Sequence, residues 1–244
     1  MGESLRIGGL TRFTTQDFPG RLACVVHLQG CPLACRYCHA PHLRPKKPGQ
    51  LSWLDCLSWL EGRRGLLDGV VFSGGEPCSQ SGLDAALAEC ADRGFATGLH
   101  SSGALPDPLA RILPLLDWIG LDWKAPPELA GLVTGRARLG RRFLLALDVV
   151  LDGGVAYEIR TTYHPSLLSR RAMVAMAETL AARGVAEWVI QEFSCAGCPD
   201  ARLVAEAAPL SDQMLAEMDA ILPVRVRRAP VPAGASAVSA GGGT

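Results

Sequence analysis

Short apolar runs recur along this chain, and between them apolar residues repeat at helical spacing. Residues 23–28 (ACVVHL) and 69–72 (GVVF) are rich in β-branched side chains and read as buried strands, the second ending in a glycine pair. The segments 95–100, 118–123, 145–151, 157–163 and 187–193 continue the series, and 223–227 (PVRVR) is a further candidate strand. Trp53, Leu57 and Leu60 fall on one helical face, as do Leu83, Leu87 and Cys90. Met173, Met176 and Leu180 do the same behind a Ser169 cap, and such a Met stripe reads as core.

Strands alternating with helices imply parallel pairing through right-handed crossovers. With six to eight strands, the α/β pattern fits an open or complete barrel better than a sandwich, and a doubly wound sheet is also compatible with it. No internal linker divides the chain. Residues 40–49 (APHLRPKKPG) hold three prolines and are expected to form an irregular loop. Residues 1–228 are therefore expected to form one domain. The uncharged stretch 229–244 is expected to be a disordered tail, because it buries too little surface to offset ordering.

Composition narrows the classes. Apolar residues make up 48% and charged residues 20%, an ordinary soluble globular balance. Lys plus Arg and Asp plus Glu are each 24, so net charge gives no reason to expect nucleic acid or an anionic membrane as a partner. There is no apolar run of the roughly 18 residues that a membrane span needs. The first residues lack the basic and apolar blocks of a secretion signal, and Arg6 stands where a myristoylation site wants Ser or Thr. A cytoplasmic location is expected.

Nine cysteines, an odd number without an export signal, argue against a disulfide framework. Cys24, Cys56 and Cys90 sit among apolar residues and read as core. The run Cys31-Pro-Leu-Ala-Cys35-Arg-Tyr-Cys38 is different, because three thiolates within eight residues can wrap one metal centre. A four-iron cubane normally takes four thiolates, so three leave one iron open to a ligand. The alternative is a zinc knuckle completed by Cys195 and Cys198, although closed zinc sites more often use paired CxxC arms. Directly after the strand at 69–72 comes Ser73-Gly74-Gly75-Glu76-Pro77, where paired glycines let a ligand approach the backbone closely. A Gly75→Val change is then expected to weaken ligand binding and spare the metal. His27 reads as buried and satisfied, and His42 and His164 as surface residues near loops.

Together the two motifs resemble the radical S-adenosylmethionine (SAM) superfamily. The resemblance implies a partial, open (β/α)6 barrel of the TIM type and one 4Fe–4S cluster held by Cys31, Cys35 and Cys38, with SAM on the open iron. It places Tyr37 near the adenine, and Gly74, Gly75, Glu76 and Pro77 at the methionine amino group. Reductive cleavage of SAM would then yield methionine and a hydrogen-abstracting 5′-deoxyadenosyl radical. The segment from Ile7-Gly8-Gly9-Leu10 through Phe13, Thr14, Asp17, Phe18, Pro19 and Gly20 to Gln29-Gly30-Cys31 resembles the activating enzymes of glycyl-radical proteins. The nearest group is the anaerobic ribonucleoside-triphosphate reductase activating proteins, with Ala40 replacing an Asn in the stretch after Cys38. Asp122 and Lys124 match that group's Asp-x-Lys at a strand end, with Lys124 suited to the SAM carboxylate. Arg160 matches an Arg that hydrogen-bonds SAM, a task that suits a guanidinium. His100 stands where the group has Asp, which argues against a monovalent cation there, while Ser101 and Ser102 are expected to contact SAM.

This resemblance covers about residues 5 to 195 and implies a glycyl-radical enzyme as partner, with reduced flavodoxin or ferredoxin as electron donor. The competing readings are a radical SAM enzyme acting on a small molecule, such as a 7-carboxy-7-deazaguanine synthase, and a non-enzymatic zinc-binding module. Cys195 and Cys198 are expected to play no catalytic part.

Overall fold

The computed structural model describes residues 5–228. The expected tail at 229–244 lies outside the described residues. Eight strands form one sheet in chain order: β1 (Ile7–Thr14), β2 (Ala23–Leu28), β3 (Gly69–Gly74), β4 (Ala96–Ser101), β5 (Trp118–Asp122), β6 (Ala156–Tyr163), β7 (Trp188–Glu192) and β8 (Val224–Arg227). All neighbours from β2 to β8 pair in parallel. β1 adds an antiparallel edge against β2, with Ile7 opposite Leu28. β1 and β8 do not pair, so the barrel stays open.

The helices are α1 (Trp53–Glu61), α2 (Leu83–Ala91), α3 (Pro106–Ile112), α4 (Ala130–Thr134), α5 (Leu139–Gly153), α6 (Arg170–Ala181), α7 (Ala201–Ala205) and α8 (Asp212–Asp219). Ser52 and Ser169 cap α1 and α6 by accepting from the Asp55 and Ala172 amides. No described helix is long and apolar enough to cross a membrane.

The parallel strands are covered on both faces, which is why they read as continuous apolar runs. Cys24, Val26 and Leu28 face the helix layer with Val70, Phe72 and Leu99, and Cys56 and Cys90 join them in the core as expected. Ala23, Val25, Val71 and Trp118 face inward around Phe18, whose ring lies 5.7 Å from that of Trp118. The aromatic of the N-terminal segment thus plugs the bottom of the barrel.

Two elements depart from the sequence reading. Residues 145–151, expected as a strand, lie inside α5. Phe143, Ala146, Leu147 and Val150 are its buried stripe at 3.6-residue spacing, and a seven-residue window was too short to show that period. β1 was not predicted at all, because its two glycines and its exposed Thr-Arg-Phe hide the pattern of an edge strand.

Candidate active site at the open end of the barrel

The cysteine loop leaves β2 through Leu28, Gln29 and Gly30, and its backbone is fixed from two sides. On one side the Gly30 and Cys31 amides donate to the carbonyls of Leu43 (2.7 Å) and Arg44 (2.9 Å). On the other, Ala34 and Arg36 donate to Thr134 and Val133 of α4. Two buried amides tie these parts together. Gln29 donates to the carbonyls of His42 and Pro45, and Gln80 bonds Arg6 and the Gln29 carbonyl. Neither glutamine was singled out in the sequence, where each was only a polar residue beside a motif.

The three thiols line one cavity of about 380 Å³ at the C-terminal end of the parallel strands. Tyr37, Gly74, Gly75 and Glu76 share its wall, as do Ser101, Ser102, Asp122 and Lys124. Arg160 stands behind Asp122, and Pro77 is buried in the short turn that follows Glu76. Thr162, Gln191 and Ser194 also line the cavity, and no local motif marks them.

Glu76 is 1% exposed, and the chain itself occupies its carboxylate. Oε1 accepts from the Ser101 hydroxyl (2.9 Å) and the Cys78 amide (3.2 Å), and Oε2 accepts from the Ser102 amide (2.9 Å) and the Ser102 hydroxyl. The expected SAM-contacting serines therefore hold Glu76 in place. The paired glycines also have an internal reason. A Cβ on Gly75 would stand 2.1 Å from the Gly30 carbonyl oxygen, and one on Gly74, at φ 98°, would meet the backbone of Leu28. This corrects the expectation for Gly75→Val: a side chain there strikes the cysteine loop before it reaches any ligand.

Asp122 forms a charged relay. Its Oδ1 accepts from Arg160 Nε at 2.7 Å, and its Oδ2 lies 3.5 Å from Lys124 Nζ. Gly120 makes room for the guanidinium, since a Cβ there would lie 2.7 Å from Arg160 Cζ. Burial by itself would raise the Asp122 carboxyl, but the cations of Arg160 and Lys124 outweigh it and hold it at about 2. Burial opposes the Lys124 charge, yet Tyr37, Asp122 and Cys35 around it hold the ammonium protonated. His100 is driven down to about 4 by burial and then by Arg160. The neutral ring donates from Nε2 to the Asp17 carbonyl at 2.9 Å.

The donor set fits an iron–sulfur cube. Burial pushes the Cys31 thiol up to about 11, and Cys35 in the same direction, so loading a metal must release protons. Among the described residues no three His, Cys, Asp or Glu side chains converge on a single ion. The Tyr37 hydroxyl is buried in the cavity wall without a partner, which leaves a polar atom for a bound group.

Of the weaker candidates, His27 is half-buried and bonded to Thr11, and His42 is exposed. His164 is not a surface residue. It is fully buried, with Nε2 donating to the Leu203 carbonyl and Nδ1 accepting from the Ser166 amide, because β6 ends beneath α7. Cys195 is exposed and Cys198 half-buried, and the turn they bracket packs on the residue after Cys38. The His39 ring bonds the Ala196 carbonyl, and Arg36 pairs with Asp200 at 2.8 Å.

Comparison with known proteins agrees with this geometry. The chain is 24% identical over 207 residues to MJ1227 of Methanocaldococcus jannaschii, a candidate glycyl-radical enzyme activating enzyme, covering 77% of this chain and 79% of the relative. Its fold matches Streptococcus suis SuiB bound to its precursor peptide SuiA with a TM-score of 0.64 at 14% identity, over 85% of this chain and 48% of SuiB. The chain thus spans about half the length of that protein. A domain of the pyruvate-formate lyase-activating enzyme from Bacteroides vulgatus matches with a TM-score of 0.52 at 16% identity, over 65% of this chain and 98% of the domain. The Radical SAM superfamily matches residues 25–186. That match overturns the zinc-module reading, and with the open barrel and its thiol-lined cavity it leaves one assignment: the chain belongs to the radical SAM superfamily, whose members bind a 4Fe–4S cluster and SAM.

Proposed function

We propose that the protein is a glycyl-radical enzyme activating enzyme, that Cys31, Cys35 and Cys38 hold its cluster, and that its partner is an anaerobic ribonucleoside-triphosphate reductase. The observation that carries this reading is the relative MJ1227, matched over 79% of its length and named for that activity. The N-terminal segment supports it: Phe18 plugs the barrel and the Asp17 carbonyl holds His100, so this segment is built into the site from below. The cluster and SAM, when bound, supply the one-electron chemistry and the hydrogen-abstracting radical.

The chain supplies position and exclusion of water. Gln29 and Gln80 fix the cysteine loop, and Glu76 locks the glycine turn to the end of β4. Lys124 offers a protonated ammonium to the SAM carboxylate, and Arg160 steadies Asp122 beside it. Tyr37 closes the wall where the adenine is placed. Free, unbridged cysteines suit a cytoplasmic protein.

The test is to incubate the anaerobically reconstituted, reduced protein and SAM with a purified anaerobic ribonucleotide reductase. Electron paramagnetic resonance should then show a glycyl radical on the reductase. SAM cleavage without any protein radical would move the reading to a small-molecule substrate.

A further inference from the structure

From Phe18 to Leu54 the chain holds no Asp or Glu and five cations: Arg21, Arg36, Arg44, Lys46 and Lys47. The cysteine loop and the loop packed behind it therefore carry positive charge without an anion of their own. Arg36 finds one in Asp200, at 2.8 Å. Lys46 and Lys47 are exposed to solvent. Arg44 has neither remedy. It is half-buried, and its Nε is hidden without a hydrogen-bond partner. Among the described residues it forms no ion pair. The buried carboxylates of the site are already engaged, Glu76 by its four donors and Asp122 by Arg160 and Lys124. A hidden guanidinium without a partner opposes folding, so this position calls for an anion that the described residues do not supply.

Its place identifies that anion. The Arg44 carbonyl accepts from the Cys31 amide at 2.9 Å and the Leu43 carbonyl from the Gly30 amide at 2.7 Å, so the two backbones run side by side. Arg44 does not line the thiol cavity and stands behind the cysteine loop. Its charge is nevertheless felt at the Cys35 sulfur, together with that of Lys124. Lys124 is shared with Asp122 and, in the proposed function, with the SAM carboxylate. Arg44 has no such competitor.

We infer that Arg44 is the counter-charge of the cluster, a half-buried guanidinium behind the cysteine loop that favours the reduced cube and so raises its reduction potential. The inference rests on the reading that Cys31, Cys35 and Cys38 hold that cube. With three thiolates the cube is negative overall, and one-electron reduction makes it more so while no bond forms or breaks. A fixed, poorly solvated cation attracts the more negative form more strongly. In this role Arg44 is a tuning residue and not a catalytic one, because it acts through the cluster.

The test compares wild type, Arg44→Met, Arg44→Lys and Lys47→Met, each full-length and reconstituted anaerobically. Each is titrated with dithionite at controlled potential, and electron paramagnetic resonance reads the reduced cluster. Arg44→Met should lower the midpoint, making the reduced cube about tenfold scarcer relative to the oxidised one at a fixed potential, or about 59 mV for one electron. Arg44→Lys keeps the charge and should restore most of the shift. Lys47→Met removes an exposed charge and should leave the potential where it is. The Arg44 shift should persist at about 0.5 M salt, since salt screens buried charges far less than exposed ones. Equal midpoints for wild type and Arg44→Met overturn the inference, and so does an equal shift in Lys47→Met. A second measurement needs no cluster. In urea unfolding of the iron-free proteins, Arg44→Met should be at least as stable as wild type, because it removes a cation that has no partner there. A clear loss of stability overturns the inference. A wild type that takes up no iron would overturn the ligand set together with it, and the missing iron tells that failure apart from one at Arg44 alone.

Discussion

Ser102 donates both its backbone amide, at 2.9 Å, and its hydroxyl to the same oxygen of Glu76. With Ser101 and the Cys78 amide on the other oxygen, a carboxylate from the turn after β3 is locked to the end of β4. A buried anion with four donors is stable only while all four face an acceptor. Glu76→Gln keeps the shape but turns an NH2 group toward donors. It should cost about 1–3 kcal/mol in urea unfolding, and SAM affinity should fall with it. An unchanged unfolding midpoint would remove Glu76 as the lock.

Gly75 tests the contact between the glycine turn and the cysteine loop. Its missing Cβ is filled by the Gly30 carbonyl at 2.1 Å, so even Ala must push the two loops apart. Gly75→Ala should lower iron and sulfide per chain as well as SAM binding. Gly9→Ala, where an added Cβ meets nothing within 4 Å, should leave both unchanged. Full iron in Gly75→Ala would show that the loops have slack.

The sequence revealed the chemistry better than the supports. Cys31, Cys35, Cys38 and the glycine turn were legible because ligand spacing and paired glycines are local signals. Asp122, Lys124 and Arg160 were legible only through resemblance, and their relay depends on parallel register, which sets Asp122 beside Arg160. Gln29 and Gln80 left no signal, since a staple joining residues 6, 29 and 42–45 exists only after folding. Ser101 and Ser102 were legible as site residues, but their bonds to Glu76, 25 and 26 residues away in sequence, exist only after folding. α5 was misread for a different reason, because LALDVVL suits a strand until Leu139 and Phe143 extend its stripe.

The Asp122 relay predicts an acid limb. Its carboxyl lies at about 2 in the folded protein against an ordinary 3.8, so the folded state favours the ionised form. That contribution is fully present above about pH 4 and is lost as pH falls through about 2. It amounts to about 2 kcal/mol. In the iron-free protein, Asp122→Asn should therefore lower stability by a constant amount at pH 5–7, and the gap to wild type should close by about pH 2. Urea titrations across that range check it, and a pH-independent gap would assign the loss to packing.

Cys35→Ala should abolish both the cluster and SAM cleavage, since two thiols cannot anchor the cube. Cys90→Ala removes a fully buried sulfur from the helix-facing core, and it should cost stability while retaining iron. Iron analysis and ultraviolet–visible spectra after anaerobic reconstitution separate the two effects. A Cys35→Ala protein with full iron would remove Cys35 from the ligand set.

The CxxC turn should act by shape rather than by sulfur. Gly197 sits at φ 72°, and a Cβ on it would lie 2.4 Å from the His39 carbonyl oxygen, one residue past Cys38. Cys195 is exposed, and the Cys198 sulfur reaches the backbone carbonyls of Arg36 and Asp200. A Cys195→Ser/Cys198→Ser protein should thus keep its iron and its rate of SAM cleavage. Gly197→Val adds strain at a left-handed position and drives the turn into the chain beyond Cys38, so it should lower iron content. If the double serine variant lost its iron and Gly197→Val kept it, the sulfurs, and not the packing, would be what the cysteine loop requires.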